Sequence, residues 1–132
     1  MEYSKRNIDK ILIEWKREQN RKPLLLRGAR QVGKTSAVRE LAKTFKHYIE
    51  IDFLAPENSD VTNLFTENSS IGELCQKIAV IKNTPIAEGE TLIFLDEIQA
   101  CPKAIEKLRY FYEQTPNLHV IAAQKLSYLF VF

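Results

Sequence analysis

The sequence predicts an α/β fold, a mostly parallel sheet with helices on both faces. Three observations carry this. Helical and extended patterns alternate along the chain, as they do where strands are joined by crossover helices. Two extended runs, LLL at 24–26 and LIFL at 92–95, are apolar without alternation, the signature of strands buried on both faces. Between the first of these and an amphipathic helix lies a glycine-bounded loop, residues 28–33, placed where such sheets receive ligands, at the carboxyl end of a strand.

The bulk composition agrees with a single domain. A chain of 132 residues can bury a core without cross-links. Its 45% hydrophobic and 27% charged residues are ordinary for a globular protein. The net charge of +2, from 19 basic and 17 acidic residues, gives no electrostatic support to a nucleic-acid or anionic-membrane partner. Cys75 and Cys101 make neither a disulfide framework nor a metal spacing, and they read as buried thiols in a reducing compartment. The first ten residues carry no apolar stretch, so a secretory signal is not expected. No run approaches the roughly 18 apolar residues that span a bilayer.

Each element has its own signal. Residues 4–19 read as a helix capped by Ser4, with Ile8, Ile11, Leu12 and Trp15 on one face. Pro23 punctuates, and the strand at 24–26 follows. Residues 34–45 are helical, with Val38, Leu41, Ala42 and Phe45 together. HYIEIDF at 47–53 alternates, with Ile49, Ile51 and Phe53 inward and Glu50 and Asp52 outward, the pattern of an edge strand with one wet face. A polar loop leads to a short helix near 61–67. Ser70 and Glu73 form a capping box for a helix over 71–82, striped by Ile71, Leu74, Cys75 and Ile78. A turn region precedes TLIFLDE at 91–97, a central strand ending in two carboxylates. Pro102 marks the start of a helix over 103–114, with Ala104, Leu108 and Phe111 inward. NLHVIAA at 117–123 is the last buried strand.

The chemistry concentrates in two places. Gly28-Ala-Arg-Gln-Val-Gly33-Lys34-Thr35 matches G-x-x-x-x-G-K-[ST] without deviation. Glycines let the backbone turn tightly and approach phosphate oxygens, while successive N–H groups and the helix dipole favour an anion. The expected nucleotide-binding set is Gly28, Arg30, Gln31, Val32, Gly33, Lys34, Thr35 and Ser36. Lys34 would reach the β- and γ-phosphates, and the Thr35 hydroxyl would sit on Mg²⁺. Asp96 and Glu97 close the apolar strand at 92–95. Asp96 would hold the Mg²⁺ shell with Thr35, and Glu97 would orient or deprotonate an attacking water, with Lys34 and Glu97 as the catalytic pair. A plain glycine turn and an ordinary strand end are the competing readings, and the pairing of the two motifs in one alternating chain weakens both.

Other polar residues are less specific. Arg27 and Arg30 flank the loop and read as phosphate contacts or as solvated arginines. Gln99, two residues past Glu97, would either sense the γ-phosphate or lie on the surface. Arg109 reads as a surface residue or as a finger into a neighbouring subunit. Cys101 reads as inert despite preceding a helix. His47 and His119 have no ligand spacing and read as structural. Tyr110, Phe111 and Tyr112 read as packing residues rather than a base-stacking platform.

LLLRGARQVGKTSAVREL, HYIEIDF and TLIFLDEIQACPKAIEKLRYFYEQTPNLHVIAA together resemble the AAA-type ATP-binding proteins of bacteria and archaea, in which an ATPase domain precedes a C-terminal domain of poorly defined role. The resemblance covers residues 5–123. It implies a phosphate-loop NTPase-like three-layer sandwich of strand order 5-1-4-3-2, Mg-ATP as ligand, and a cytoplasmic prokaryotic setting. It carries Lys34 and Thr35 over as phosphate and magnesium residues, and Asp96 and Glu97 as the acidic pair. The family's Gly-Ser-Leu-Leu after the last strand is replaced here by Gln124-Lys125-Leu126-Ser127.

The expected organisation is therefore a truncated ATPase core at 1–123, missing its fifth strand, and a divergent apolar tail at 124–132. In that order the first strand is left as an apolar edge, which promotes self-association, and LSYLFVF adds an uncharged β-prone segment. Three readings stay open on these residues: Mg-ATP binding with slow hydrolysis, nucleotide binding without turnover, and a non-functional remnant. Glu97 favours the first, and the altered C-terminus favours the others.

Overall fold

The computed structural model describes residues 5–28 and 33–125. The elements run α1 (Lys5–Arg17), β1 (Leu24–Gly28), α2 (Lys34–Ala42), β2 (His47–Asp52), α3 (Ser59–Thr66), α4 (Ile71–Lys82), β3 (Thr91–Asp96), α5 (Pro102–Gln114) and β4 (His119–Lys125). Single 3-10 turns precede α3 at Pro56–Asn58 and follow β3 at Ile98–Ala100. Three sequence expectations lie outside the described residues: the Ser4 cap, the loop positions Arg30, Gln31 and Val32, and the apolar tail at 126–132.

The described strands form one four-stranded sheet of order β1-β4-β3-β2, parallel throughout. This is the α/β fold expected, with the first four strands in the expected order. β3 is buried along its whole length, which is why its sequence shows no alternation. The period-two pleat sorts its side chains between two cores. Leu92 and Phe94 join Ile121 and Ala123 of β4 against Ile8, Leu12 and Trp15 of α1 and Val38 and Leu41 of α2. Ile93 and Leu95 join Ile49, Ile51, Val120 and Ala122 against Phe65 of α3, Leu74 and Ile78 of α4, and Phe111 of α5. The result is three layers, with α1 and α2 on one face and α3, α4 and α5 on the other.

Several boundaries differ from the sequence reading. β4 starts at His119 rather than 117 and continues past 123 to Lys125, because its ladder with β1 runs on to the pair Gly28–Lys125. α2 ends at Ala42 rather than 45, tightening into a final turn in which the N–H of Thr44 donates to the Leu41 carbonyl. α3 starts at Ser59, before the expected 61. The outer face of β2 is not simply wet: Glu50 is half-buried, accepts from Arg39 Nε and Nη2 at 2.9 and 2.7 Å, and accepts from the Tyr48 hydroxyl at 2.6 Å. Arg39 reaches it from α2, so this face carries an ion pair that half-closes it to water. The bidentate contact favours the charged forms of both groups, with Glu50 held below the usual carboxylate range mainly by the Arg39 hydrogen bonds.

Candidate functional site

Parallel topology brings every strand's carboxyl end to one edge of the sheet. That edge carries Gly28 of β1, Asp52 of β2, Asp96 of β3 and Lys125 of β4, in the registers Gly28–Lys125 and Asp52–Asp96. The charge on Lys34, the first residue of α2, feels Asp96, Glu97 and Lys125, so it belongs to the same cluster. The sequence-predicted Lys34, Asp96 and Glu97 are thus gathered in one place.

Gly33 begins α2 with φ 74°, and its carbonyl accepts from the Ala37 N–H at 2.8 Å. Among the described residues a Cβ there would meet nothing within 4 Å. The requirement for glycine is therefore the left-handed backbone and not space. Behind it, Thr35 is half-buried and Ser36 exposed on the first turn of α2.

Lys34 is the unusual residue. Only 1% of it is exposed, and its buried Nζ has no hydrogen-bond partner among the described residues. Burial lowers its pKa; the nearby Asp96 and Glu97 charges raise it, and Lys125 lowers it again. A buried ammonium without a hydrogen bond is costly. An anion at the helix N-terminus would satisfy it and use the α2 dipole as well.

The acidic pair has a defined geometry. Asp96 is buried, and its Oδ1 accepts from the Glu97 N–H at 2.9 Å. Burial pushes its carboxyl above the usual range; the Glu97 N–H opposes this, while the Glu97, Asp52 and Glu50 charges add to it. Glu97 has φ 55° and ψ 44°, a left-handed conformation rare for a side chain of its size. Its Oε1 accepts from Gln99 Nε2 at 2.7 Å, and Gln99 Oε1 accepts from the Lys125 N–H at 3.2 Å.

Sequence reasoning missed Asp52 as a member of this cluster and left the place of Gln99 open. Asp52 sits beside Asp96 in the ladder, with its Oδ1 accepting from the Leu54 N–H at 2.9 Å; the signal was an acid closing an apolar strand, as at Asp96. Gln99 is half-buried and bridges two elements, where the sequence left a choice between sensor and surface.

The remaining candidates lie elsewhere. Arg27 is exposed. Arg109 is exposed on α5 and donates to Glu113 Oε2 at 2.9 Å. His47 and His119 begin β2 and β4, at the opposite edge of the sheet. Cys75 and Cys101 are buried free thiols, and burial pushes Cys75 up to about 11. Phe111 is core, Tyr110 exposed and Tyr112 half-buried. Among the described residues no group of three or more His, Cys, Asp or Glu is placed to hold a metal, and no helix is long and apolar enough to cross a membrane.

Among solved structures, the chain is similar to C. elegans PCH-2, with 17% identity and a TM-score of 0.47, over 96% of this chain and 36% of that one. No curated protein matches it. A family model described as an AAA domain matches residues 20–130, from before β1 to beyond β4. The chain belongs to the AAA domain family.

Proposed function

We propose that this AAA domain binds ATP with Mg²⁺ at the carboxyl edge of its sheet and hydrolyses it slowly. The observation that carries the reading is Lys34, a buried ammonium without a hydrogen-bond partner among the described residues, at the N-terminus of α2 and beside two carboxylates. The loop from Gly28 to Gly33, with Arg30, Gln31 and Val32, would cradle the phosphates through its backbone N–H groups, continued by Lys34, Thr35 and Ser36. Lys34 would contact the β- and γ-phosphate oxygens, placing its charge where negative charge is densest.

Asp96 and Thr35 would hold a magnesium ion, as a buried carboxylate whose pKa burial raises and a half-buried hydroxyl. When bound, Mg²⁺ would supply charge neutralisation at the phosphates. Glu97 is the group for the water. As its oxygen attacks the γ-phosphorus, the bond to the β,γ-bridging oxygen breaks and the water proton passes to the Glu97 carboxylate. Two free, buried cysteines suit a reducing cytoplasm as the setting.

The test is binding and turnover in two variants. Lys34→Ala should weaken Mg-ATP binding by about 10- to 100-fold, the worth of a charge-assisted hydrogen bond. Glu97→Gln should leave affinity intact and abolish phosphate release. Unchanged affinity in the first variant would remove the phosphate site, and persistent turnover in the second would remove Glu97 as the base.

A further inference from the structure

The side-chain amide of Gln99 is used at both ends. Nε2 donates to Glu97 Oε1 at 2.7 Å, and Oε1 accepts from the backbone N–H of Lys125 at 3.2 Å. The partners fix the amide's orientation: a carboxylate oxygen only accepts and a backbone N–H only donates, so the reverse placement would oppose two acceptors and two donors. Gln99 lies in the 3-10 turn Ile98–Ala100, directly after the strained Glu97. Lys125 ends β4 and stands in register with Gly28, where the phosphate loop begins. One amide therefore ties the acid after β3 to the strand beside the loop.

From this bridge we propose that Gln99 is a positioning residue for Glu97, holding its carboxylate in one orientation relative to the end of β4. The inference rests on the reading of Glu97 as the base that serves the attacking water. Glutamate has three side-chain torsions, and a hydrogen bond to its carboxylate narrows the orientations that it samples at the sheet edge. Water attack depends on the base being placed to within a fraction of an ångström, and a rotamer locked by a second hydrogen-bonding residue is how such placement is kept. The contact engages one carboxylate oxygen, Oε1, and leaves Oε2 unused by Gln99.

Two variants separate the halves of the bridge. Gln99→Met keeps the length and removes both hydrogen bonds. Gln99→Glu keeps an acceptor for the Lys125 N–H but cannot donate to Glu97. Hydrogen exchange at the Lys125 amide should quicken at least tenfold in Gln99→Met and stay near wild type in Gln99→Glu. Steady-state phosphate release should show kcat reduced about tenfold or more in both variants, with the Mg-ATP Kd of Gln99→Met within twofold of wild type. In Gln99→Glu the added charge beside Glu97 would lower kcat by itself, so Gln99→Met is the deciding variant: a purely structural glutamine would leave its kcat at wild type while the Lys125 amide exchanged faster.

Wild-type kcat in either folded variant overturns the proposal, and so does an unchanged Lys125 exchange rate in Gln99→Met. Should Gln99→Met fail to fold, the neutral, shorter amide of Gln99→Asn, which cannot span both partners, decides through its own kcat and exchange rate. A wild-type chain that binds Mg-ATP but releases no phosphate overturns the hydrolase reading and the positioning role with it, the exchange data then marking the bridge as structural.

Discussion

Two residues at the sheet edge are held in costly arrangements. Lys34 is a buried cation without a hydrogen bond among the described residues, and Glu97 is left-handed without being glycine. Strain of this kind persists where the surroundings enforce it, and it collects at functional sites. The motif around Lys34 is read from the sequence directly, because four fixed positions at set spacing mark it. The strain at Glu97 is not, since nothing in glutamate's own propensity signals a positive φ; only the tight passage from β3 into a 3-10 turn requires it. The strain is measurable by comparing two variants that both lack the carboxylate. Glu97→Gly should be more stable to urea than Glu97→Ala by about 1 kcal/mol, the cost of a Cβ in the left-handed region. Equal stabilities would mean that this backbone is relaxed in solution.

At the scale of elements, hydrophobic period and capping chemistry identified each α-helix and strand of the described residues, and long-range pairing moved the ends. β4 extends to Lys125 because β1 is present to pair with it, a fact that no local window contains. The start of α4 shows the opposite case, a boundary set by one side chain. Ser70 Oγ accepts from the Glu73 N–H at 3.1 Å, as the S-x-x-E pattern predicts. The return half is altered: Ser70 Oγ donates to the Glu73 carboxylate at 3.4 Å. α4 packs Ile71, Leu74 and Ile78 into the core under α3 and α5, so fraying of its first turn is felt by the whole face. Ser70→Ala should cost about 1 kcal/mol in chemical denaturation without affecting nucleotide binding at the far sheet edge. A loss below a few tenths of a kcal/mol would show that packing alone holds the turn.

Across the whole molecule, the two ends of the sheet do different work. The carboxyl edge collects the charged residues of the proposed site. The opposite edge is a structural joint centred on His119, which the sequence reading already treated as structural. Its ring meets Trp15 and Phe45 edge-on, at centroid distances of 5.5 and 4.8 Å. Nδ1 accepts from Arg21 Nη2 at 3.2 Å, and Nε2 faces the Lys16 carbonyl at 3.4 Å. Arginine only donates and a carbonyl only accepts, so the ring is neutral with its proton on Nε2. Burial, followed by the Arg21 charge, pushes its pKa down to about 4. The native state therefore binds this proton less well than the unfolded chain, whose histidine titrates near its ordinary value of about 6.5. The stability held by the neutral ring is complete above about pH 6.5 and is lost as pH falls towards about 4. Over that window wild type should lose on the order of 2–3 kcal/mol more than His119→Gln in urea unfolding. Parallel pH dependence in the two proteins would contradict the joint.

The central claim concerns the other edge, and a calorimetric titration of the 132-residue chain with Mg-ATP, beside Lys34→Ala, tests it most directly. Saturable one-to-one binding that the substitution weakens by about tenfold or more is the result predicted. A folded wild-type chain that takes up no nucleotide, or a variant that binds as tightly as wild type, would contradict it.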